Sequence, residues 1–171
     1  MQNIVLVGFM GTGKTSVAKK LASRMHMKYV STDDLIEKKE GIPISEIFSK
    51  KGEDYFRKIE TKIVKELSLL EGLVIDSGGG IVTNQENIND FKKNGIVVCL
   101  WAEPETILKR TGKETHRPLL NVEDPFNKIK GLLKARKPFY ETADFHIHTG
   151  DLTAEEVACE VERIANERKK H

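Results

Sequence analysis

The sequence predicts an α/β protein in which a five-stranded parallel sheet is covered by helices on both faces, a three-layer α/β/α arrangement. Short apolar runs alternate with segments of helical periodicity, which is typical of such a sheet. In addition, a glycine-rich segment separates the first apolar run from the first helical pattern. The predicted strands are Ile4–Val7, Lys28–Val30, Leu73–Ile75, Ile96–Trp101 and Asp144–His148.

The composition is that of one soluble domain. A chain of 171 residues buries roughly 70% of the surface that it exposes when unfolded, so it needs no disulfides. The net charge of +2, with both signs spread along the chain, is not the pattern of a nucleic-acid-binding protein. Neither a leader nor a membrane-length apolar run is evident, so we expect a cytoplasmic protein. The sequence carries no signal for an oligomer, and we expect a monomer. Cys99 and Cys159 are expected to be buried thiols in a reducing compartment.

The glycine-rich segment Gly8–Ser16, GFMGTGKTS, fits the P-loop motif G-x-x-x-x-G-K-[ST] at every fixed position. It lies between a predicted strand and a predicted helix over Ser16–Met25. Glycines let backbone N–H groups curl around phosphate oxygens, and the helix N-terminus adds its positive dipole end. Lys14 is expected to reach the β- and γ-phosphates of a nucleotide, and Thr15 to offer its hydroxyl to Mg²⁺. The alternative is an ordinary glycine turn.

Two acidic residues, Asp33 and Asp34, follow the second predicted strand. Carboxylates at the carboxyl end of a strand lie where open α/β sheets bind ligands. Either one would then orient a substrate hydroxyl or approach Mg²⁺. The alternative is that Asp33 caps the helix that follows, and the residues themselves leave both interpretations open.

Three consecutive glycines, Gly78–Gly80, follow the third predicted strand and Asp76. Each glycine costs about 0.5–1 kcal/mol of chain entropy relative to alanine. A run of three therefore indicates close approach of a ligand to the backbone rather than a plain loop. Asp76 occupies the place at which P-loop proteins often hold the acid that assists Mg²⁺.

Three arginines are candidates for binding charged groups. Arg57 lies three residues before Glu60, so the two side chains can pair. The alternative to a functional pair is an ion bridge at the surface, worth well under ~1 kcal/mol. Arg136 falls on the apolar face of its helix, where it either borders a carboxylate-binding pocket or extends its stem to solvent. Arg117 is at the centre of the polar segment 111–124, which is predicted to be a mobile lid over bound phosphates. The alternative is that Arg117 is a solvated arginine in a loop.

Together these motifs resemble the shikimate kinase family, small P-loop enzymes similar to nucleoside monophosphate kinases. The resemblance covers nearly the whole chain, as a single domain over residues 1–171. The arginine motifs and the glycine triplet at these separations are far more specific than the P-loop, which many activities share. The matching segments are residues 8–16, Thr32-Asp33 with Ile36-Glu37, Gly52-Glu53 through Phe56–Glu60, Gly78–Gly80, Arg117–Leu120 and Arg136–Tyr140.

The resemblance implies a P-loop kinase fold and transfer of a phosphoryl group from ATP, with Mg²⁺, to the 3-hydroxyl of shikimate in aromatic amino-acid biosynthesis. Asp33 would act as the base, with Lys14 and Arg117 as further catalytic residues. Shikimate would be bound in the helical segment 33–60 and by Asp33, Arg57, Gly78, Gly79, Gly80 and Arg136. ATP would be bound by Gly11, Thr12, Gly13, Lys14, Thr15, Ser16, Arg110 and Arg117.

One departure from the family pattern concerns the metal. The family usually has Asp-x-Asp after the second strand, and its first Asp assists Mg²⁺ through water, whereas Ser31 stands at that position here. We hypothesise that Asp76 compensates, so that Thr15 and Asp76 are the residues expected at the metal. The alternatives to a shikimate kinase are a related gluconate or nucleotide kinase and, because of Ser31, a degenerate kinase-like binding module.

Overall fold

A parallel sheet forms the centre of the molecule. The computed structural model describes residues 1–112, 120 and 122–168. Within them the sheet has five strands, each paired in parallel with its neighbours, and the predicted sheet is confirmed. The strands are β1 (Asn3–Gly8), β2 (Lys28–Ser31), β3 (Leu73–Asp76), β4 (Gly95–Trp101) and β5 (Phe145–His148), in the spatial order β2-β3-β1-β4-β5.

Helices connect these strands and cover both faces of the sheet, which confirms the predicted three layers. The helices of the described residues are α1 (Lys14–Met25), α2 (Thr32–Glu40), α3 (Ile44–Lys51), α4 (Glu53–Ser68), α5 (Gln85–Lys93), α6 (Pro104–Thr111), α7 (Pro125–Tyr140) and α8 (Ala154–Arg168), with a 3-10 turn at Ile81–Thr83. Every one of them is too short or too polar to cross a membrane.

The alternation of side chains along β1 shows how the two cores are divided. Ile4 and Leu6 point to one face, where they pack with α1 and α8. Val5 and Val7 point to the other face, where α4, α5 and α7 pack. Both faces are buried, which explains why β1 and β4 are apolar at nearly every position. The polar groups that carry the chemistry therefore lie where the strands end.

One local prediction is wrong. Cys99 is buried as expected, but Cys159 is exposed because it lies on the outer face of α8. The buried stripe of α4 ends at Leu67, so Leu70, two residues beyond the helix, is 51% exposed. Helix α5 is capped by Asn84, whose side chain accepts a hydrogen bond from the N–H of Glu86.

Candidate active site

The P-loop wraps around the amino end of α1. Gly13 precedes the helix with a φ of 92°, a left-handed conformation that favours glycine. A Cβ at Gly8 would overlap the carbonyl oxygen of Leu100, so the loop can lie against β4 only without a side chain there. Lys14 Nζ donates to the carbonyl oxygens of Gly8 and Phe9 at 2.8 and 2.9 Å. The loop thus presents helix N–H groups and an ammonium group to the same space, an arrangement that suits phosphate.

A carboxylate from β3 lies beside the P-loop. Thr15 Oγ1 donates to Asp76 Oδ2 at 2.6 Å, and the Tyr29 hydroxyl donates to the same oxygen at 3.2 Å. Asp76 is paired in register with Ser31 on β2, so the two residues end neighbouring strands side by side. Within the described residues no three His, Cys, Asp or Glu side chains form a metal cluster. A metal here would therefore take hydroxyl, carboxylate, phosphate and water oxygens, as Mg²⁺ commonly does.

Asp33 lies in the first turn of α2 and does not cap it. The cap is Ser31, whose hydroxyl accepts a hydrogen bond from the N–H of Asp34 at 3.2 Å. The Asp33 carboxyl instead faces the glycine triplet, since a Cβ on Gly78 would lie 2.8 Å from Asp33 Oδ1. Burial raises the pKa of Asp33 to about 6; Lys14 opposes the rise and Asp76 adds to it.

The glycine triplet is held by its carbonyl groups. Gly78 accepts from the N–H of Ile81, Gly79 from the hydroxyl of Tyr140, and Gly80 from the N–H and hydroxyl of Thr83. The N–H of Gly78 donates to Thr32 Oγ1 at 3.0 Å. The N–H groups of Gly79 and Gly80 have no acceptor among the described residues. Two donors are therefore left for a ligand.

Two arginines and a glutamate lie next to the triplet. Arg57 Nη1 is 2.8 Å from Glu60 Oε1, and Glu60 is 1% exposed, so the ion pair is no surface bridge. Burial raises the pKa of Glu60 to about 7, although Arg57 opposes the rise. Arg136 is 7% exposed and packs over the Phe9 ring. Three side-chain atoms of the described residues are buried without a hydrogen-bond partner, and two of them, Glu60 Oε2 and Arg136 Nη1, lie here. This pair indicates that a polar ligand completes the site.

Two cavities meet at these residues. The first, of about 580 Å³, extends along the P-loop, and the second, of about 520 Å³, lies between the triplet and helices α2, α3 and α4. The carboxylate of Asp33 and the backbone of Gly78 and Gly79 line both. The first cavity is lined by P-loop residues, Asp76 and Arg110, and the second by Arg57, Glu60 and Arg136. A donor and an acceptor bound in the two cavities would be adjacent at Asp33.

The structure brings together nearly all of the predicted site residues that it describes. The exception is Thr12, which is 1% exposed, donates its hydroxyl to the carbonyl oxygen of Phe9 and lines neither cavity. Arg110 lines the first cavity and donates to the carbonyl oxygen of Gly11 at 3.1 Å. Arg117 lies outside the described residues, as does most of the predicted lid over 111–124, and both stay predictions.

Sequence reasoning missed the apolar wall of the second cavity. Pro43, Ile44, Phe48 and Phe56 line it, and the Phe48 and Phe56 rings pack with centroids 4.8 Å apart. Their helical spacing is the same as that of core residues, so no pattern in the sequence distinguishes them. The wall makes one side of this cavity suitable for a small carbon ring, opposite the charged side.

A sequence model of the shikimate kinase family matches residues 10–165. The chain belongs to the shikimate kinase family. The shikimate kinase of Caldanaerobacter subterraneus subsp. tengcongensis is 52% identical over 163 residues, which are 95% of each chain. The resemblance seen in the sequence is therefore confirmed, and with it the activity of an ATP-dependent kinase that acts on shikimate.

Solved structures agree with this family assignment. The shikimate kinase from Acinetobacter baumannii in complex with shikimate is 40% identical, with a TM-score of 0.93, and the match covers 99% of this chain and 95% of that one. A gluconokinase from Sinorhizobium meliloti is 18% identical, with a TM-score of 0.65 over 98% of this chain and 95% of that one. The second likeness shows a shared fold alone, so it does not favour the gluconate kinase alternative.

Proposed function

We propose that the protein transfers the γ-phosphate of ATP to the 3-hydroxyl of shikimate at the junction of the two cavities, with Asp33 as the base. The observation that carries this proposal is that the P-loop cavity and the arginine-lined cavity share Asp33, Gly78 and Gly79 as a common border. Phosphoryl transfer depends mainly on positioning and on compensation of charge. A common border lets two substrates approach each other in line.

Asp33 is suited to accept the hydroxyl proton. As the 3-hydroxyl oxygen bonds to the γ-phosphorus, the bond from that phosphorus to the β–γ bridging oxygen breaks and ADP leaves. The hydroxyl proton passes to the Asp33 carboxylate. A pKa raised to about 6 leaves this carboxylate ionised at neutral pH and makes it a better proton acceptor than an exposed aspartate.

Arg57 and Arg136 would hold the shikimate carboxylate. Both guanidinium groups lie beside the triplet, and Arg136 Nη1 lacks a partner among the described residues. A planar guanidinium pairs with a carboxylate through parallel hydrogen bonds, which orients the ring as well as binding it. Glu60 holds Arg57 at 2.8 Å, so the arginine is fixed in place before shikimate binds.

The first cavity would hold ATP. Its phosphates would lie against the N–H groups of Gly11–Ser16, and Lys14 would turn from the Gly8 and Phe9 carbonyls towards them. Arg110 would lie at the far end of the nucleotide, and Arg117 would add charge at the transferring group. We also infer that the enzyme acts as a monomer in the cytoplasm.

The residues at the end of β3 suit Mg²⁺. Thr15 and Tyr29 both donate to Asp76 Oδ2, which leaves Oδ1 available to a metal-bound water. When bound, Mg²⁺ neutralises charge on the β- and γ-phosphates. Asp76→Asn should weaken the Mg²⁺ dependence of ADP binding measured by calorimetry, whereas the exposed Asp54→Asn should not. An unchanged Mg²⁺ requirement in Asp76→Asn would defeat this assignment.

The acceptor is tested by a coupled assay of ADP release. Wild-type protein is given shikimate, gluconate and nucleoside monophosphates in turn, and we expect turnover with shikimate alone. Asp33→Asn should lower kcat by a factor of about 10² or more, because it removes the base, while ADP binding measured by calorimetry stays unchanged. Turnover with another acceptor and none with shikimate would show that the substrate is wrong.

A further inference from the structure

Helix α7 supplies two residues to the glycine triplet, one turn apart. Arg136 lines the second cavity, whereas Tyr140 is 1% exposed and lines neither cavity. The Tyr140 hydroxyl donates to the carbonyl oxygen of Gly79 at 2.7 Å. A buried tyrosine hydroxyl needs a hydrogen-bond partner, but here the partner is part of the loop that lines the cavity. Its effect on that loop follows from the geometry of the peptide bond.

The carbonyl of Gly79 and the N–H of Gly80 belong to one planar trans peptide, so they point in opposite directions. Tyr140 holds the carbonyl on the side of the core. The N–H of Gly80 is thereby directed away from the core, and Gly80 lines the second cavity. This N–H has no acceptor among the described residues. The carbonyl groups of Gly78 and Gly80 are also bonded, so the loop has little freedom to turn this peptide over.

We propose that Tyr140 is a positioning residue for the acceptor, which fixes the Gly79–Gly80 peptide so that the Gly80 N–H donates to the carboxylate of the bound acid. This inference rests on the proposed function, since it requires shikimate in the second cavity. Arg57 lies next to Gly80, because a Cβ on Gly80 would overlap its guanidinium, and both residues line the second cavity. One carboxylate could therefore receive a backbone donor and an arginine together.

The surroundings of Tyr140 support a fixed donor. Its ring packs edge-on against Trp101, with centroids 6.2 Å apart, so the hydroxyl is held in one place. Burial raises the pKa of Tyr140 to about 12, although Arg136 lowers it in part, and the hydroxyl keeps its proton throughout the working range of the enzyme. The hydrogen bond to Gly79 is accordingly present at every pH at which Asp33 can act as a base.

Tyr140→Phe removes the hydroxyl and keeps the packed ring. We expect KM for shikimate to rise about tenfold, the effect of losing about 1.4 kcal/mol of binding free energy, with kcat and the calorimetric affinity for ADP unchanged. In ¹⁵N-correlated NMR spectra the Gly80 amide resonance should move on addition of shikimate to wild type, and should respond less in the variant. The matched control is Tyr55→Phe, which removes a partly buried hydroxyl that donates to Glu40 and lines neither cavity.

The possible outcomes separate this inference from the function on which it rests. A wild-type protein that neither binds nor phosphorylates shikimate would overturn both. If wild type is active, an unchanged KM for shikimate in Tyr140→Phe would overturn the inference alone. An equal weakening of shikimate and ADP binding would also overturn it, because the hydroxyl would then act on general stability. A Gly80 amide that responds to shikimate as in wild type would overturn it too, because the hydroxyl would then not position this peptide.

Discussion

Gly80→Ala tests whether the space beside Arg57 is needed for binding the acid. Gly80 has a φ of −96°, which alanine adopts without strain. The added Cβ would overlap Nη2 of Arg57 and would lie 2.7 Å from both Cζ and Nη1, whereas ordinary van der Waals contact begins at 3.4 Å. Cζ and Nη1 alone would require the guanidinium to move by 0.7 Å, and the overlap with Nη2 requires more.

That movement has a cost that can be estimated. Displacing a guanidinium weakens charge-assisted hydrogen bonds worth about 1.5–3 kcal/mol. A loss of about 2 kcal/mol raises KM for shikimate by a factor of about 30. Arg57 also moves away from Glu60, whose carboxylate is buried, so the free energy of unfolding should fall as well. The nucleotide cavity does not include Gly80 or Arg57, so ADP binding should not change.

The assay couples ADP release to a spectrophotometric signal while shikimate is titrated at saturating ATP, and calorimetry measures ADP binding separately. The matched control is Gly131→Ala, an exposed glycine on α7 whose added Cβ would meet nothing within 4 Å. It should gain about 0.5–1 kcal/mol of stability and leave KM unchanged. If Gly80→Ala folds with the wild-type KM for shikimate, Arg57 does not bind the acid from this position.

Three further predictions concern charges in the site. Arg136→Ala should raise KM for shikimate at least tenfold and leave ADP binding unchanged, because only one ligand needs the guanidinium; equal loss of both ligands would mean that the arginine is structural. The logarithm of kcat/KM for shikimate should fall with unit slope as pH drops below about 6, where Asp33 of the free enzyme is protonated, and a flat pH–rate profile would exclude it as the base. The folded-state pKa of Glu60, about 7, exceeds its ordinary value of 4.5, so its contribution to stability is full below pH 4.5 and is lost as pH rises through 7. Glu60→Gln should therefore reduce the loss of unfolding free energy between pH 5 and pH 8 by up to about 3 kcal/mol, measured by urea denaturation at both pH values. An identical loss in wild type and variant would show that Glu60 titrates normally.

Several features of the site could be predicted because their signals are local. The P-loop requires glycines, a lysine and a hydroxyl at fixed spacing between a strand and a helix, and Gly8–Ser16 has all of them. Arg136 was recognised by a charge on an apolar helical face, since such a residue must find a partner or a pocket. In both cases the reason for the residue lies within one or two turns of chain.

Other features could not be predicted because they join distant parts of the chain. Asp33 was ambiguous between cap and ligand until Ser31 was found to cap α2. Burial of Glu60, and hence its raised pKa, depends on how α4 packs against the sheet. The hydrogen bond between Tyr140 and Gly79 joins residues 61 positions apart, and no periodicity in the sequence relates residues at that separation.

The amino-acid pattern was therefore sufficient to predict the succession of strands and helices along the chain and the phosphate-binding loop. Strand apolarity and loop conformation depend on neighbouring residues. Three features are determined by tertiary packing: the two cavities that meet at Asp33, the burial of Glu60 where it pairs with Arg57, and the orientation of the Gly79–Gly80 peptide. Each depends on contacts between separate elements, and these contacts form only when the helices pack on both faces of the sheet.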